Sequence, residues 1–520
     1  MKKTSRINSR RGAQPARPAG GKAVIRQLPT GVRGLDEILC GGLPEYSCNI
    51  IAGSPGCGKT TLAHQFVFAN ATRERPALYF TVLGEPAIKM LRYQQQYSFF
   101  DAAKLHDCIR FINLGEIVEA EDLDAVLAEI TQQVEAANPG VVVVDSFRTV
   151  LRRANDTGTT ELELQSFIQR LAMLLTSFQA TTFLIGEYSD TEMRDNPAFT
   201  VADGLFHLSQ MIERNSVVRK LQVIKLRGQA SVPGLHTIRI GSYGLQAFSR
   251  TLGLTGITPR AHGGTKRLSL GIPELDKLTG GGVLMGDSIL IAGPSGTGKT
   301  VLATQFIYAG LRKREPGIIV VFEERPPEYV KRAKGLGMDL QAAEKAGLLE
   351  ILYLRPLDLS VDETMQEILD AVKRTKAQRL VIDSLVGFEM ALAPGFRADF
   401  RESLYRMIAA LTGAGVTIVS TVEIEDSFTS FQFSHYAISF LTDDIIRLRY
   451  VEIDGQLRKV LVVIKMRGGN HSKDIREYVI TKKGVVIISP PRTDYQALTS
   501  GLPERVGNRM ETAPEPRAKQ

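Results

Sequence analysis

The most constraining feature of this chain is that it repeats itself. Gly31-Val32-Arg33-Gly34-Leu35-Asp36 returns as Gly271-Ile272-Pro273-Glu274-Leu275-Asp276, Gly53 through Thr60 returns as Gly293 through Thr300, and Lys225-Leu226-Arg227-Gly228 returns as Lys465-Met466-Arg467-Gly468, each 240 residues further on. One offset shared by three separated segments is explained by two homologous domains in tandem. The length of 520 residues, too great for one core, agrees. We place a basic tail at 1–22, the first domain at 23–252, a Gly- and Pro-containing linker at 253–264, the second domain at 265–490 and a tail at 491–520.

Within each copy, short apolar runs alternate with stretches of helical period. In the first copy the runs are Cys48 to Ala52, Ala77 to Leu83, Ile109 to Asn113, Val141 to Asp145 and Thr181 to Gly186. Continuous apolar strands separated by helices predict an α/β fold, a mostly parallel sheet with helices on both faces. From Gly204 to Phe248, and from Asp443 to Ile488, strand-like runs follow one another closely, predicting an antiparallel extension of each sheet.

The segments Gly53-Ser54-Pro55-Gly56-Cys57-Gly58-Lys59-Thr60 and Gly293-Pro294-Ser295-Gly296-Thr297-Gly298-Lys299-Thr300 both match G-x-x-x-x-G-K-[ST], each between a strand and a helix. Glycines let the backbone curl so that N–H groups and the helix N-terminus face phosphate. We therefore expect ATP, or a close relative, at both loops, including the next residues Thr61 and Val301. Lys59 and Lys299 would reach the β and γ phosphates, and the hydroxyls of Thr60 and Thr300 would hold Mg²⁺. Asp145 and Asp383, each ending an apolar strand, are the expected second groups on Mg²⁺; the bland reading of either is a cap or turn residue.

Hydrolysis also needs a group to orient or deprotonate the attacking water. In the second copy Glu323-Glu324 follow the strand Ile318 to Phe322. The first copy has Leu83-Gly84 there, leaving Glu85 as its nearby acid. Glu187 and Glu423, after a later strand, read either as substitutes or as exposed edge carboxylates. Unequal ATPase activities are expected. Lys225 with Arg227, and Lys465 with Arg467, lie two apart on expected strands, so each pair shares a face. Far in sequence from their own loops, they read as arginine-finger-type groups for an adjacent subunit's nucleotide, or as solvated strand residues.

The formal charge of +8 resides almost wholly in Met1 to Lys22, whose seven basic residues face no acid, so the remaining body is nearly neutral. The tail reads as solvated, or as a weak contact for an anion such as nucleic acid, and nucleic acid is not the expected partner of the body. With no long apolar stretch and no apolar N-terminal block, no membrane partner is expected and the cytoplasm is the expected location. Cys40, Cys48, Cys57 and Cys108 show no metal-ligand spacing and read as reduced thiols. Cys57 is either a filler of its loop or a thiol activated by loop N–H groups and lysine.

The tandem phosphate loops, the G-[VI]-x-x-L-D openings, Glu323-Glu324 and the K-x-R-G strands resemble the KaiC family of two-domain RecA-like P-loop ATPases over about Val24 to Ile488. The resemblance is most specific from Asp443 to Ile480. It implies a double-ringed homohexamer with ATP between subunits, slow hydrolysis, serine/threonine autophosphorylation within the second ring, and signalling or clock-type protein partners. At the family's paired Ser-Thr phosphoacceptor this chain has Ser439-Phe440. Ser439 keeps a hydroxyl, Phe440 does not, and Thr442 lies nearby; a two-site phosphorylation cycle is therefore not expected, with Glu323 the chosen base for a single site. The chain after Ile488 offers no clear counterpart of the family's activator-binding peptide. Two other readings stand beside this one: a RecA-like DNA-dependent ATPase of recombination or repair, and a nucleotide-assembled scaffold with negligible turnover.

Overall fold

A computed structural model describes residues 25–82, 87–119, 123–156, 161–188, 192–195, 198–213, 216–250, 266–354, 360–392, 400–424, 441–488, 495–496 and 504–505. Each copy is built on a nine-stranded sheet. Across the first, the order is Gly244–Phe248, Leu235–Gly241, Ser216–Leu226, Gly204–Glu213, Cys48–Gly53, Thr181–Gly186, Val141–Asp145, Ala77–Thr81 and Ile109–Asn113. The second has the same order with Ser288–Gly293 in the central place. The central strand runs parallel to both neighbours, Thr181–Gly186 and Gly204–Glu213 in the first copy. Beyond Gly204–Glu213 the pairing turns antiparallel. The two fold expectations, mostly parallel sheet and antiparallel extension, hold in both copies.

The continuous apolar strands are explained by burial on both faces. Ile50, Leu78, Phe80, Val142 and Val144 pack into one core, whereas their neighbours Ile51, Tyr79, Val141 and Val143 pack into another on the opposite side. The second copy divides likewise, with Leu290, Ile318 and Ile382 on one side and Ile289, Ile319 and Val381 on the other. Alternation of side chains across the pleat forces this division. Helices Lys59–Asn70 and Lys299–Leu311, which follow the phosphate loops, are buried around most of their girth and carry no polar face. No helix among the described residues is long and apolar enough to cross a membrane.

The hairpin next to the central strand carries the same irregularity in each copy, a register shift between Leu205 and Phe206 and between Ile445 and Ile446. The shift sets Lys225 opposite Leu205 and Lys465 opposite Ile445. The copies meet through charge: Arg33 and Arg239 of the first reach Asp370 and Glu363 of the second at 2.5 and 3.1 Å, and Asp362 is held between Thr237 and Arg406.

One difference between the hairpins has a thermodynamic consequence. Where the first copy has Gly204, the second has Asp444, 1% exposed, with neither carboxylate oxygen hydrogen-bonded. Burial, then the nearby Asp287 and Asp443, push its carboxyl up to about 7. The folded chain thus keeps a proton that the unfolded chain has released above about pH 4, so this contribution is intact at low pH and lost as pH rises through 7. Asp444→Asn is expected to stabilise the second domain at pH 8 by at most about 4 kcal/mol and to have little effect at pH 4. Denaturant unfolding at the two pH values checks this; an equal effect at both would contradict it.

Candidate nucleotide sites

Each loop leaves the carboxyl end of the central strand, turns through left-handed glycines and enters a helix. Gly58 and Gly298, immediately before those helices, have φ of 106° and 97°. A Cβ on them would lie 2.7 Å from Ile240 Cδ1 and 2.6 Å from Ile480 Cδ1. Both the backbone conformation and the close approach exclude a side chain there. The loops thus lie at the N-termini of Lys59–Asn70 and Lys299–Leu311, where helix dipole and N–H groups favour an anion.

Lys59 folds back along its loop, donating to the carbonyls of Gly53 at 3.1 Å and Ser54 at 2.8 Å, with Glu187 at 3.8 Å. Lys299 donates to the Pro294 carbonyl at 2.9 Å. Burial pulls the Lys299 ammonium below its ordinary value, opposed by Glu423, Asp383 and Glu323. The first cavity, about 690 Å³, includes Gly56, Thr60, Thr61 and Asp145 in its walls; the second, about 400 Å³, includes Ser295, Gly296, Thr300 and Val301. Thr297 is tied into its loop by its hydroxyl, which donates to the Pro294 carbonyl, and by Tyr478, whose hydroxyl donates to the Thr297 carbonyl. Pro55 is exposed at the tip of its loop. Cys57 is fully buried, and burial outweighs Lys59 to raise its thiol pKa, so the residue acts as a filler rather than an activated thiol.

The two strand-end acids lie beside the loop threonines. Asp145 accepts from the Thr60 hydroxyl at 2.9 Å and from Tyr79 at 2.8 Å. Asp383 accepts from Thr421 at 2.5 Å and from Thr300. In both, burial raises the carboxyl pKa while the hydroxyl bonds pull it down. Tyr79 and Thr421 escaped sequence reasoning because each looks like ordinary strand filler, and nothing in the alternation marks which one faces the acid.

The paired glutamates separate in space. Glu324 is bound by both nitrogens of the Arg332 fork, at 3.2 and 2.5 Å, whereas Glu323 receives a single 3.3 Å bond from Ser384. Both line the second cavity. Glu85 lies outside the described residues. Glu187 and Glu423 are equivalent by register, each one step past the partner of the last central-strand alanine, and each lines its cavity. Glu187 lies 3.8 Å from its loop lysine and is half exposed.

The basic pairs sit elsewhere. Lys225 donates to the Thr200 carbonyl at 3.0 Å, and Arg227 reaches Thr200 and Asp203 at 3.2 Å. Lys465 donates to the Thr442 carbonyl at 2.5 Å, and Arg467 is 3.5 Å from Asp443. Asp203 and Asp443 in turn hold the amide N–H groups of Cys48 and Ser288, the amino ends of the central strands. The basic pairs are therefore one strand length, roughly 15–20 Å, from their own phosphate loops. Thr442 is 1% exposed and its hydroxyl has no hydrogen-bond partner; Ser439 lies outside the described residues.

Comparison with known proteins agrees with this arrangement. A family model described as "ATPase: KaiC" matches residues 28–251 and again 268–492. The chain is 29% identical to the circadian clock oscillator protein KaiC of Prochlorococcus marinus (strain MIT 9313), over 94% of this chain and 98% of the relative. It is 30% identical to the protein of that name from Picosynechococcus sp., over 93% of each, and 30% identical to circadian clock oscillator protein KaiC 1 of Synechocystis sp., over 94% of each.

The Tyr79 contact yields a prediction. Its hydrogen bond favours ionised Asp145, so Tyr79→Phe should raise that pKa and move the acidic limb of nucleotide binding at the first loop upward. Nucleotide titration of the Lys299→Ala chain between pH 5 and 8 reads this; an unmoved limb would contradict it.

Proposed function

The chain belongs to the KaiC family of ATPases, and from that membership and the geometry of its two sites we propose a homohexamer in which each nucleotide is shared between subunits. The observation that carries this reading is the location of the basic pairs. Lys225 with Arg227, and Lys465 with Arg467, lie a strand's length from the loops of their own domains. A cation serves phosphate only within a few ångströms, so these pairs act on the nucleotide of a neighbouring copy.

The residues suit magnesium-bound ATP. No cluster of three metal-ligating side chains occurs among the described residues, and Mg²⁺ characteristically takes few protein ligands, completing its shell with phosphate oxygens and water. Thr60 with Asp145, and Thr300 with Asp383, would hold it. Mg²⁺ there supplies charge neutralisation of the β and γ oxygens. Lys59 and Lys299 exchange their loop carbonyls for phosphate.

In the second site Glu323, without an arginine on it, is the base, and Glu324 positions Arg332. Glu323 takes the proton from the attacking oxygen as that oxygen bonds to the γ phosphorus and the bond to ADP breaks. With water the products are ADP and phosphate; with the Ser439 hydroxyl they are ADP and phosphoserine. Burial of Thr442 ranks it behind Ser439 as acceptor. The first site serves chiefly assembly, with slower turnover through Glu187 or Glu85. Clock-type signalling partners follow from the relatives' names and are the proposed targets of the switch. The neutral body and the family match speak against a DNA-dependent motor.

Mixing tests the shared site. A Lys299→Ala chain lacks a second-site loop, and a Lys465→Ala/Arg467→Ala chain lacks the basic pair. Each alone should lose second-site turnover by about 10²-fold or more. Co-assembled in equal amounts, they should regain a sizeable share, because some interfaces join an intact loop to an intact pair. Failure to regain any turnover in mixed assemblies would mean that the pairs do not serve a neighbouring copy's nucleotide. Peptide mass spectrometry after incubation with ATP and Mg²⁺ should find phosphate on Ser439 and lose it in Glu323→Gln; phosphate elsewhere, or undiminished by that change, would reject the base assignment.

A further inference from the structure

The two cavities draw a guanidinium from different elements. Helix Phe147–Asp156, which follows Asp145, brings Arg148 onto the wall of the first cavity, with Arg152 one turn on. Strands Val141–Asp145 and Arg379–Asp383 end in equivalent acids, so the counterpart of Arg148, three residues past the acid, is Val386, which lines the second cavity. There the guanidinium comes instead from Arg332 on helix Pro326–Gly335, gripped by Glu324. The first-copy residue 240 places earlier, Arg92, is exposed and does not line the first cavity. Each cavity thus has a glutamate-tethered arginine on its wall, reached by a different route: Arg332 on Glu324 in one, Arg148 on Glu192 at 2.5 Å in the other.

Arg148 is placed to exchange that tether for phosphate. Its side chain is 36% exposed and Glu192 is 42% exposed, so the pair is solvent-screened and weakly held. The guanidinium lies 5.7 Å from the centre of the Tyr188 ring, and Tyr188 directly follows Glu187, the partner of Lys59. The ring is buried against Phe199, and Arg148 and the loop lysine Lys59 line the same cavity. A planar guanidinium binds paired phosphate oxygens more strongly than an exposed carboxylate. The helix that carries it starts just after Asp145, the acid that with Thr60 marks the β–γ end of the nucleotide.

We propose that Arg148 contacts the terminal phosphate of the nucleotide bound to its own chain. The assignment rests on the reading of the first loop as an ATP site. The assay uses the full chain with Lys299→Ala, fluorescent methylanthraniloyl derivatives of ATP and ADP as probes, and turnover of ATP. Arg148→Ala should weaken ATP by about tenfold or more while leaving ADP within about twofold, and should lower kcat by about 10²-fold. Arg148→Lys should recover part of both, since charge is kept and the fork is lost. Glu192→Gln, which releases the arginine, should tighten ATP and leave ADP unchanged. Equal effects on ATP and ADP, or none on either, would overturn the assignment, as would unaltered ATP affinity in Glu192→Gln. Lys59→Ala separates the two levels: if it leaves ATP bound in this background, the reading of the first loop fails; if it removes ATP where Arg148→Ala has no effect, the Arg148 assignment alone fails.

Discussion

Each domain buries a carboxylate at the carboxyl end of an otherwise apolar strand and surrounds it with hydroxyls, and the rest of the site is arranged around that group. Asp145 and Asp383 lie where burial pushes a carboxyl toward its neutral form. A neutral acid would bind metal poorly. Thr60 and Tyr79 in one domain, and Thr300 and Thr421 in the other, oppose that tendency by donating to the ionised form. The parallel sheet makes this possible, since it ends the acid's strand and the phosphate-loop strand on the same edge with one strand between them.

The same sheet separates the basic pairs from their own phosphate loops. Their hairpin turns antiparallel to the central strand, so its last residues return to that strand's amino end, while the loop leaves at the carboxyl end. Asp203 and Asp443 lock this placement by bonding both the strand's first N–H and the hairpin arginine. On the proposed assembly, a chain built this way would divide its nucleotide groups between two surfaces and join them by association. Contacts of Arg33 with Asp370, Arg239 with Glu363, Thr237 with Asp362 and Arg250 with Glu402 cross between the two domains of one chain.

Much of this was legible in the sequence. The 240-residue offset and the apolar strand runs pointed to the fold class, and the doubled loops and strand-end acids to the candidate nucleotide residues, because G-x-x-x-x-G-K-T and an apolar run ending in Asp are local patterns. What could not be read was which of several similar side chains faces the site. Glu323 and Glu324 are adjacent and chemically alike, and only the turn of helix Pro326–Gly335 gives Arg332 to the second of them. Tyr79 and Arg148 carry no motif; the place of Tyr79 depends on register with a strand far away in sequence, and that of Arg148 on the turn of helix Phe147–Asp156. Thr442 was proposed from its nearness to Ser439, and its burial was invisible because Thr is common on both faces of strands.

The most direct test of the account is a structure of the full chain determined with a nonhydrolysable ATP analogue and Mg²⁺. The account predicts nucleotide at both loops of every chain, with Lys225 and Arg227 or Lys465 and Arg467 of a neighbouring copy on its phosphates, and Glu323 facing the γ phosphate. Nucleotide enclosed by one chain alone, with Lys465 still on the Thr442 carbonyl and Arg467 still on Asp443, would contradict it.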